Sequence, residues 1–289
     1  MICFYHNDAD GRAAAAIVRK YAQELHPDIK QRYIEVDYDQ QNVLPAEIMK
    51  NEVVFIVDFH FTPNVMKLMC EVSSDIYVFD HHKTGKEVIA QYPKEVECHC
   101  DPGNKFAGCE LVWNFLYPTT EMPRAVKLIA DHDKWAWKFG EMTAQFNEGL
   151  KLYSHQPKDL IWSELLSNHQ LFLDEIIREG KTCLQYRDRI CKEFRNDWGF
   201  EVEFMGYRCY VMNLRLKGSE SEMFAEKLEE YDICISIVLK NGLWKISLRS
   251  NGKVDVSEFA KKFVGGGGHA NAAGANGLKE LPFKILKKE

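Results

Sequence analysis

The sequence predicts an α/β protein: an N-terminal parallel-sheet domain with helices on both faces, a helical connector, and a smaller C-terminal α+β domain. Three observations predict it. Short apolar runs alternate with helix-length amphipathic segments through the first half. A charged helical pattern occupies residues 156–200. Beyond Gly199 short strands return around an Asn241-Gly242 dipeptide, a strong hairpin signal. The 289 residues suffice for two cores of ordinary size, and the expected boundaries are 1–155, 156–200 and 201–289.

The elements follow in order. ICFY (2–5) reads as a strand, and GRAAAAIVRKYAQEL (11–25) as a helix from its alanines and spaced apolar residues. RYIEVDY (32–38), VVFIVDF (53–59) and IYVFD (76–80) read as further strands, with a short helix at PNVMKLMCEV (63–72). Residues 106–118 and 124–137 read as helices, the first closed by Pro118. Strand, helix, strand in this order makes a largely parallel sheet. In the second half, EVEFMGYRCYVMNL, DICISIVLK and WKISLRS are strand-like, SEMFAEKLEEY and VSEFAKKF are helical, and the latter runs into GGGGHANAAG.

Composition narrows the class. No apolar run approaches the roughly 20 residues of a membrane span, and MICFYHNDAD does not resemble a signal peptide, so a cytoplasmic protein is expected. Nine scattered cysteines without a CxxC pair argue for reduced thiols and against a zinc ribbon. Cys98-His99-Cys100 is read as alternation on a short strand. The net charge of −6 disfavours a protein that coats long nucleic acid. The charge is unevenly spread, with 14 Lys and Arg against 10 Asp and Glu from Met205 onward. An acidic front half suits metal cations, and a basic back half suits a phosphate-bearing ligand.

Three strands of the front half finish on polar groups: His6-Asn7-Asp8-Ala9-Asp10 after the first, Asp58 after the third, and Asp80-His81-His82 after the fourth. Parallel neighbours would bring these groups to one rim, where an open α/β sheet binds ligands. Asp131 would close the site from a helix. Singly, each acid has a plain alternative, Asp10 as the cap of the helix beginning at Gly11. Together, so many carboxylates repel unless cations compensate them. Carboxylates with histidines suit Mn²⁺ or Mg²⁺, and two ions sharing an acid activate water between them.

HNDADG, VDF, FDHHKT and ADHD resemble, in order, the four motifs of the DHH phosphoesterase superfamily. LRSNGKVDVSEFAKKFVGGGGHANAAG resembles the signature of its accessory DHHA1 domain. The resemblance implies two Mn²⁺ ions, with Mg²⁺ as the other candidate. His6, Asp8 and Asp58 would hold one, and Asp10, Asp58, His81 and Asp131 the other. Asp80 would orient His81, and His82 would contact the scissile phosphate or leaving oxygen. In the back half Arg249, Ser250, Gly265, Gly266, Gly267, Gly268 and His269 would grip substrate phosphate. Lys83 is a candidate for neutralising phosphate or for capping the site, Trp135 and Trp137 for stacking a base or, at least as often for alternating tryptophans, for core or inter-domain packing, and the basic tail 284–289 reads as a solvated end.

The compact layout is similar to the oligoribonuclease and cyclic-nucleotide phosphodiesterase branch. Its first motif, His-x-Asp-x-Asp-Gly, is tighter than the His-x-x-x-Asp-x-Asp form of many small bifunctional oligoribonucleases. The implied activity is hydrolysis of short oligonucleotides or cyclic or linear (di)nucleotides, with a nucleotide substrate as partner, no membrane, and a homodimer left open. An exopolyphosphatase or pyrophosphatase is the rival enzyme. A non-catalytic nucleotide-binding module is the rival outside enzymes.

Overall fold

The structure, a computed structural model, describes residues 1–48, 50–73, 75–82, 85–101, 103, 105–216 and 223–283, with the main chain alone for Asp39 and His269. The chain divides into two compact units, Met1–Leu184 and Gln185–Glu289.

The first unit is built on five parallel strands, β1 (Ile2–His6), β2 (Arg32–Val36), β3 (Val54–Val57), β4 (Ile76–Asp80) and β5 (Glu97–Cys100), in the order β2-β1-β3-β4-β5. Its helices are α1 (Ala9–Leu25), α2 (Pro63–Val72), α3 (Gly85–Ile89), α4 (Gly108–Leu116), α5 (Arg124–Asp133), α6 (Glu141–Leu150), α7 (Ile161–Leu166) and the first part of α8 (Gln170–Asp197). Strand side chains alternate between two cores, as a pleated strand requires. Cys3, Tyr5, Phe55, Val57 and Phe79 meet α1, α4 and α5 on one face. Ile2, Phe4, Val54, Ile56 and Val78 meet Val65, Met66 and Met69 of α2 on the other. Helices therefore cover both faces, as the sequence predicts.

This strand order places β1 between β2 and β3. The helix after β1 and the helix after β3 lie on opposite faces, so a crevice opens at the carboxyl ends of β1 and β3, the topological switch point where open α/β sheets bind ligands. The expected connector does not stand apart from this unit. Trp162, Leu165 and Leu166 of α7 and Leu173 and Ile176 of α8 are buried in its core. The helix expected over 124–137 stops at Asp133, because Trp135 turns to a positive φ of 53°.

The second unit holds a six-stranded sheet of order β10-β11-β9-β8-β7-β6, from β6 (Phe200–Phe204), β7 (Tyr207–Met212), β8 (Ile233–Lys240), β9 (Leu243–Arg249), β10 (Gly267–His269) and β11 (Ala272–Leu278). All pairs are antiparallel except β7 with β8. Met205-Gly206 and Asn241-Gly242 close the β6–β7 and β8–β9 hairpins with positive φ at both positions, the mirror-image turn that suits strand twist. The helix Val256–Phe263 packs on one face through Val256, Phe259 and Ala260. Cys191 of α8, Met223, Phe224 and Tyr231 cover the other. The end of the glycine run supplies strand β10. Lys83, residues 217–222 around the start of the expected helix, and the basic tail lie outside the described residues. Among the described residues no helix is long and apolar enough to cross a membrane.

Candidate metal centre

The switch point collects the acids. Asp8 follows β1 in extended conformation, and its Oδ1 accepts a 2.9 Å hydrogen bond from the Gly11 N–H. Asp8 is therefore the cap of α1, where the sequence alternative had placed Asp10. Asp10 lies in the first turn, buried, and its two oxygens accept from the N–H groups of Gly108 (2.7 Å) and Cys109 (2.9 Å). The amino end of α4 thus holds a carboxylate, as a helix dipole favours. Glycine permits the approach: a Cβ at position 108 would stand 2.7 Å from the Cβ of Asp58.

Asp58 is the centre of the arrangement. Its φ of +55° is a left-handed conformation costing on the order of 1–3 kcal/mol for a residue with a side chain. A 2.7 Å bond from its N–H to the Phe79 carbonyl pins that geometry. The side chain is fully buried, and neither oxygen receives a well-formed hydrogen bond from a described residue. His6 Nδ1 stands 3.5 Å from one oxygen and His81 Nε2 3.3 Å from the other. Burial first, then the neighbouring charges of Asp10 and Asp8, raise the Asp58 pKa well above the carboxylate range. His6 also lies 2.8 Å from Asp8 Oδ2. Burial opposes charge on both histidines, but Asp58 and the other acids outweigh it and push His6 up to about 11 and His81 up to about 10.

One expected member is absent from the cluster. Asp131 is buried, but its oxygens accept from the N–H groups of Lys138 (2.9 Å) and Phe139 (3.3 Å) and from the Thr143 hydroxyl. These donors hold its pKa down although burial pushes it up. The cluster contains Asp133 instead, with Oδ2 3.2 Å from His81 Nε2. The two acids are two positions apart on α5, hence about 200° apart around the helix, and only the second faces the rim. Burial and the charge of Asp10 push Asp133 up to about 8. Its Oδ2 is buried without a well-formed hydrogen bond.

Asp80 departs from expectation as well. It gives its oxygens to His82 Nδ1 (2.7 Å) and His60 Nδ1 (2.8 Å) rather than to His81. Burial opposes its charge, yet these bonds hold its pKa below the usual range. His60 was not singled out from the sequence, although it stands two residues after Asp58 in VDFH. Tyr38 is a further neighbour, its ring within 5.3 to 6.1 Å of those of His6, His82 and His60.

Three sets of ligand atoms each lie within 4.8 Å of one another: His6, Asp8 and Asp58; Asp10, His81 and Asp133; and Asp58, His81 and His82. Oxygen and imidazole donors of this kind suit Mn²⁺ or Mg²⁺. The buried oxygens of Asp58 and Asp133, short of hydrogen bonds and crowded by like charge, are what a divalent cation would satisfy.

The expected phosphate grip is distributed unevenly in the second unit. Arg249, Gly267 and Gly268 line a cavity of about 300 Å³, together with Arg215, Lys245 and Ser247. Ser250 does not line it, and its hydroxyl accepts from the N–H groups of Gly252 and Val254 (3.2 Å each), bracing a turn. Gly265 ends the preceding helix at φ +66°, and a Cβ on Gly266 would meet the Gly274 carbonyl oxygen at 2.0 Å, so these two glycines serve the backbone. Gly267 has open space where a side chain would stand. The side chain of His269 lies outside the described residues.

A doubly wound sheet with acids and histidines gathered at its switch point, joined to a mixed-sheet unit with a basic cavity, is the layout of a class of two-unit α/β phosphoesterases. The chain belongs to the DHH/DHHA1 phosphoesterase superfamily: the DHH family N-terminal domain matches residues 1–133 and the DHHA1 domain residues 212–287. It is 26% identical over 247 residues to uncharacterized protein R106 of Acanthamoeba polyphaga mimivirus, covering 82% of this chain and 56% of that one. It is 23% identical over 302 residues to oligoribonuclease NrnB of Bacillus subtilis, covering 96% of this chain and 73% of that one. Among solved structures, the pGpG-specific phosphodiesterase PggH of Vibrio cholerae superposes with a TM-score of 0.58 at 14% identity, over 96% of this chain and 93% of that one. Exonuclease RecJ bound to manganese superposes at 0.55 and 15% identity, over 94% and 84%. These two structures share the fold.

Proposed function

We propose that the protein is a divalent-metal-dependent phosphodiesterase that hydrolyses short oligonucleotides or dinucleotides. The observation that carries the metal chemistry is Asp58, fully buried with both oxygens short of hydrogen bonds between two sets of ligand groups. The likeness to an oligoribonuclease along nearly the whole chain supports the substrate class.

His6, Asp8 and Asp58 would hold one ion, and Asp10, Asp58, His81 and Asp133 would hold the other. Two divalent ions bound there would polarise the phosphoryl oxygens and lower the pKa of water. His82 is set for proton transfer. Its Nδ1 is tied to Asp80, which leaves Nε2 for the leaving oxygen and fixes the ring orientation. His60 fixes Asp80 in turn. Arg249, with Lys245 and the Gly267 backbone, binds substrate phosphate in the cavity of the second unit.

The test is a length series from two to about 25 nucleotides at fixed Mn²⁺ and salt, with polyphosphate alongside. We expect kcat/KM for the shortest substrates to exceed that for the longest by about tenfold, the effect of one contact worth ~1.4 kcal/mol. Activity that climbs with length would replace this reading with a strand-tracking exonuclease. Activity on polyphosphate alone would replace it with an exopolyphosphatase.

A further inference from the structure

Immediately beyond Asp133 the chain makes a turn with a conformation few sequences adopt. Trp135 and Trp137 both have positive φ, 53° and 51°, a region that bulky side chains avoid. The turn is tied down from inside. Besides accepting from Lys138, Phe139 and Thr143, Asp131 offers its carbonyl to the Ala136 N–H at 3.0 Å, and the Trp135 N–H donates to His132 O at 3.0 Å. The acid that looked like a metal ligand is the clamp of this strained turn.

The clamp displays aromatic surface. Trp135 is 62% exposed and Trp137 38%, so neither is a core residue. Their rings meet edge to face at 5.5 Å, and His132 lies stacked with Trp135 at 6.3 Å and edge-on to Trp137 at 5.7 Å. Lys138, exposed in the same turn, adds positive charge. A strained backbone that presents two indoles to solvent gives up both local stability and apolar burial, and packing within the first unit explains neither. Its position does: the platform starts two residues past Asp133, in the turn that follows the helix bringing that carboxylate to the rim.

We propose that Trp135 and Trp137 form a stacking platform for a nucleobase of the substrate beside the scissile phosphate, held in place by Asp131. This inference rests on the phosphodiesterase reading and deepens it. Indole faces stack on any base and add affinity with little sequence preference, which suits an enzyme for short mixed fragments. Phosphate alone would gain nothing from the platform.

The test compares adenosine monophosphate with ribose 5-phosphate by calorimetric titration of the full chain with Mn²⁺, so that no turnover is needed. We expect the nucleotide to bind about tenfold or more tightly, W135A and W137A to bring it near the sugar phosphate, and W135F to keep most of the difference. Ribose 5-phosphate should bind all four proteins alike. Nucleotide binding no tighter than sugar phosphate, or variants that weaken both ligands equally, would overturn the platform. So would a change of oligomeric state in W135A, which would assign the surface to a second copy of the chain. Dinucleotide turnover by the unaltered protein tests the phosphodiesterase reading separately, so a chain that is active yet blind to the base refutes the platform alone.

Discussion

Asp131 and Asp133 differ by two positions in sequence and by their whole role in the structure, so alanine at each should give opposite signatures. Asp131→Ala removes two sound bonds to an ionised acceptor, from the Lys138 N–H and the Thr143 hydroxyl, and a weaker one from Phe139. At roughly 1.5 kcal/mol for each sound bond the loss is about 3 kcal/mol, or about 6–12 °C in Tm for a unit of this size. Asp133→Ala removes a half-buried carboxyl whose buried Oδ2 is short of hydrogen bonds, so the metal-free protein should change by less than ~1 kcal/mol. The increment that Mn²⁺ adds should rank the two variants the other way. An ion at 100 times its Kd stabilises the folded chain by about 2.7 kcal/mol. That increment should survive in Asp131→Ala, and a hundredfold loss of affinity in Asp133→Ala should shrink it to about 0.4 kcal/mol. Thermal melts of the two variants and the parent, with chelator and with Mn²⁺, check all four values. An increment lost from Asp131→Ala but retained by Asp133→Ala would refute the assignment of both residues.

Other expectations follow from the same geometry. Asp58→Ala should abolish hydrolysis and lower Mn²⁺ occupancy at both positions by metal analysis; turnover near that of the parent would break the shared-ligand scheme. His60→Ala should reduce kcat about 10–100-fold, the usual scale for a partner one step behind a site, with KM little changed. Arg249→Ala should raise KM while leaving bound metal untouched, and metal loss would show that the residue is misplaced. The metal-free protein should lose stability as pH rises. Asp133 titrates at about 8 when folded against roughly 4 when unfolded, so its contribution is full below about pH 4 and gone above about pH 8. His6 and His81, raised by the acids, act in the same direction from about pH 6.5 upward. A Tm of the chelated protein that is flat or rising from about pH 6 to 9 would contradict this.

The strand ends were legible in the sequence because an apolar run that stops on an acid marks both where a strand finishes and what it delivers. Parallel strands suffice to bring His6, Asp8, Asp10, Asp58, His81 and His82 to one rim, whereas choosing His81 over His82 as a ligand rests on the family resemblance. Asp133 needed more: choosing between the acids of ADHD requires the rotational phase of α5, and that is set by Leu128, Ile129 and Ala130 packing into the core, which sequence spacing does not reveal. His60 was hidden by Asp58, whose positive φ breaks the strand alternation just where it would have been extrapolated. In the glycine run, the register of β10 against β11 decides which glycines face open space and which admit a neighbouring carbonyl, and four identical letters carry no register.

Asp58 also shows how the site departs from what folding alone would select. Its backbone is in a region that costs a residue with a side chain energy, its carboxyl is removed from water, and the charges of Asp10 and Asp8 crowd it, with only the long contacts of His6 and His81 in return. Each term opposes the folded state, and together they exceed what the Phe79 hydrogen bond and the two long histidine contacts return. Glycine at this position would relieve all three. Asp58→Gly should therefore melt higher than the parent in chelator while showing no turnover in Mn²⁺, the trade of stability against function expected where a site is assembled against local preference. If Asp58→Gly melted lower, the left-handed conformation would not be strained in this setting, and the case for a cation as the missing compensation would rest on charge crowding alone.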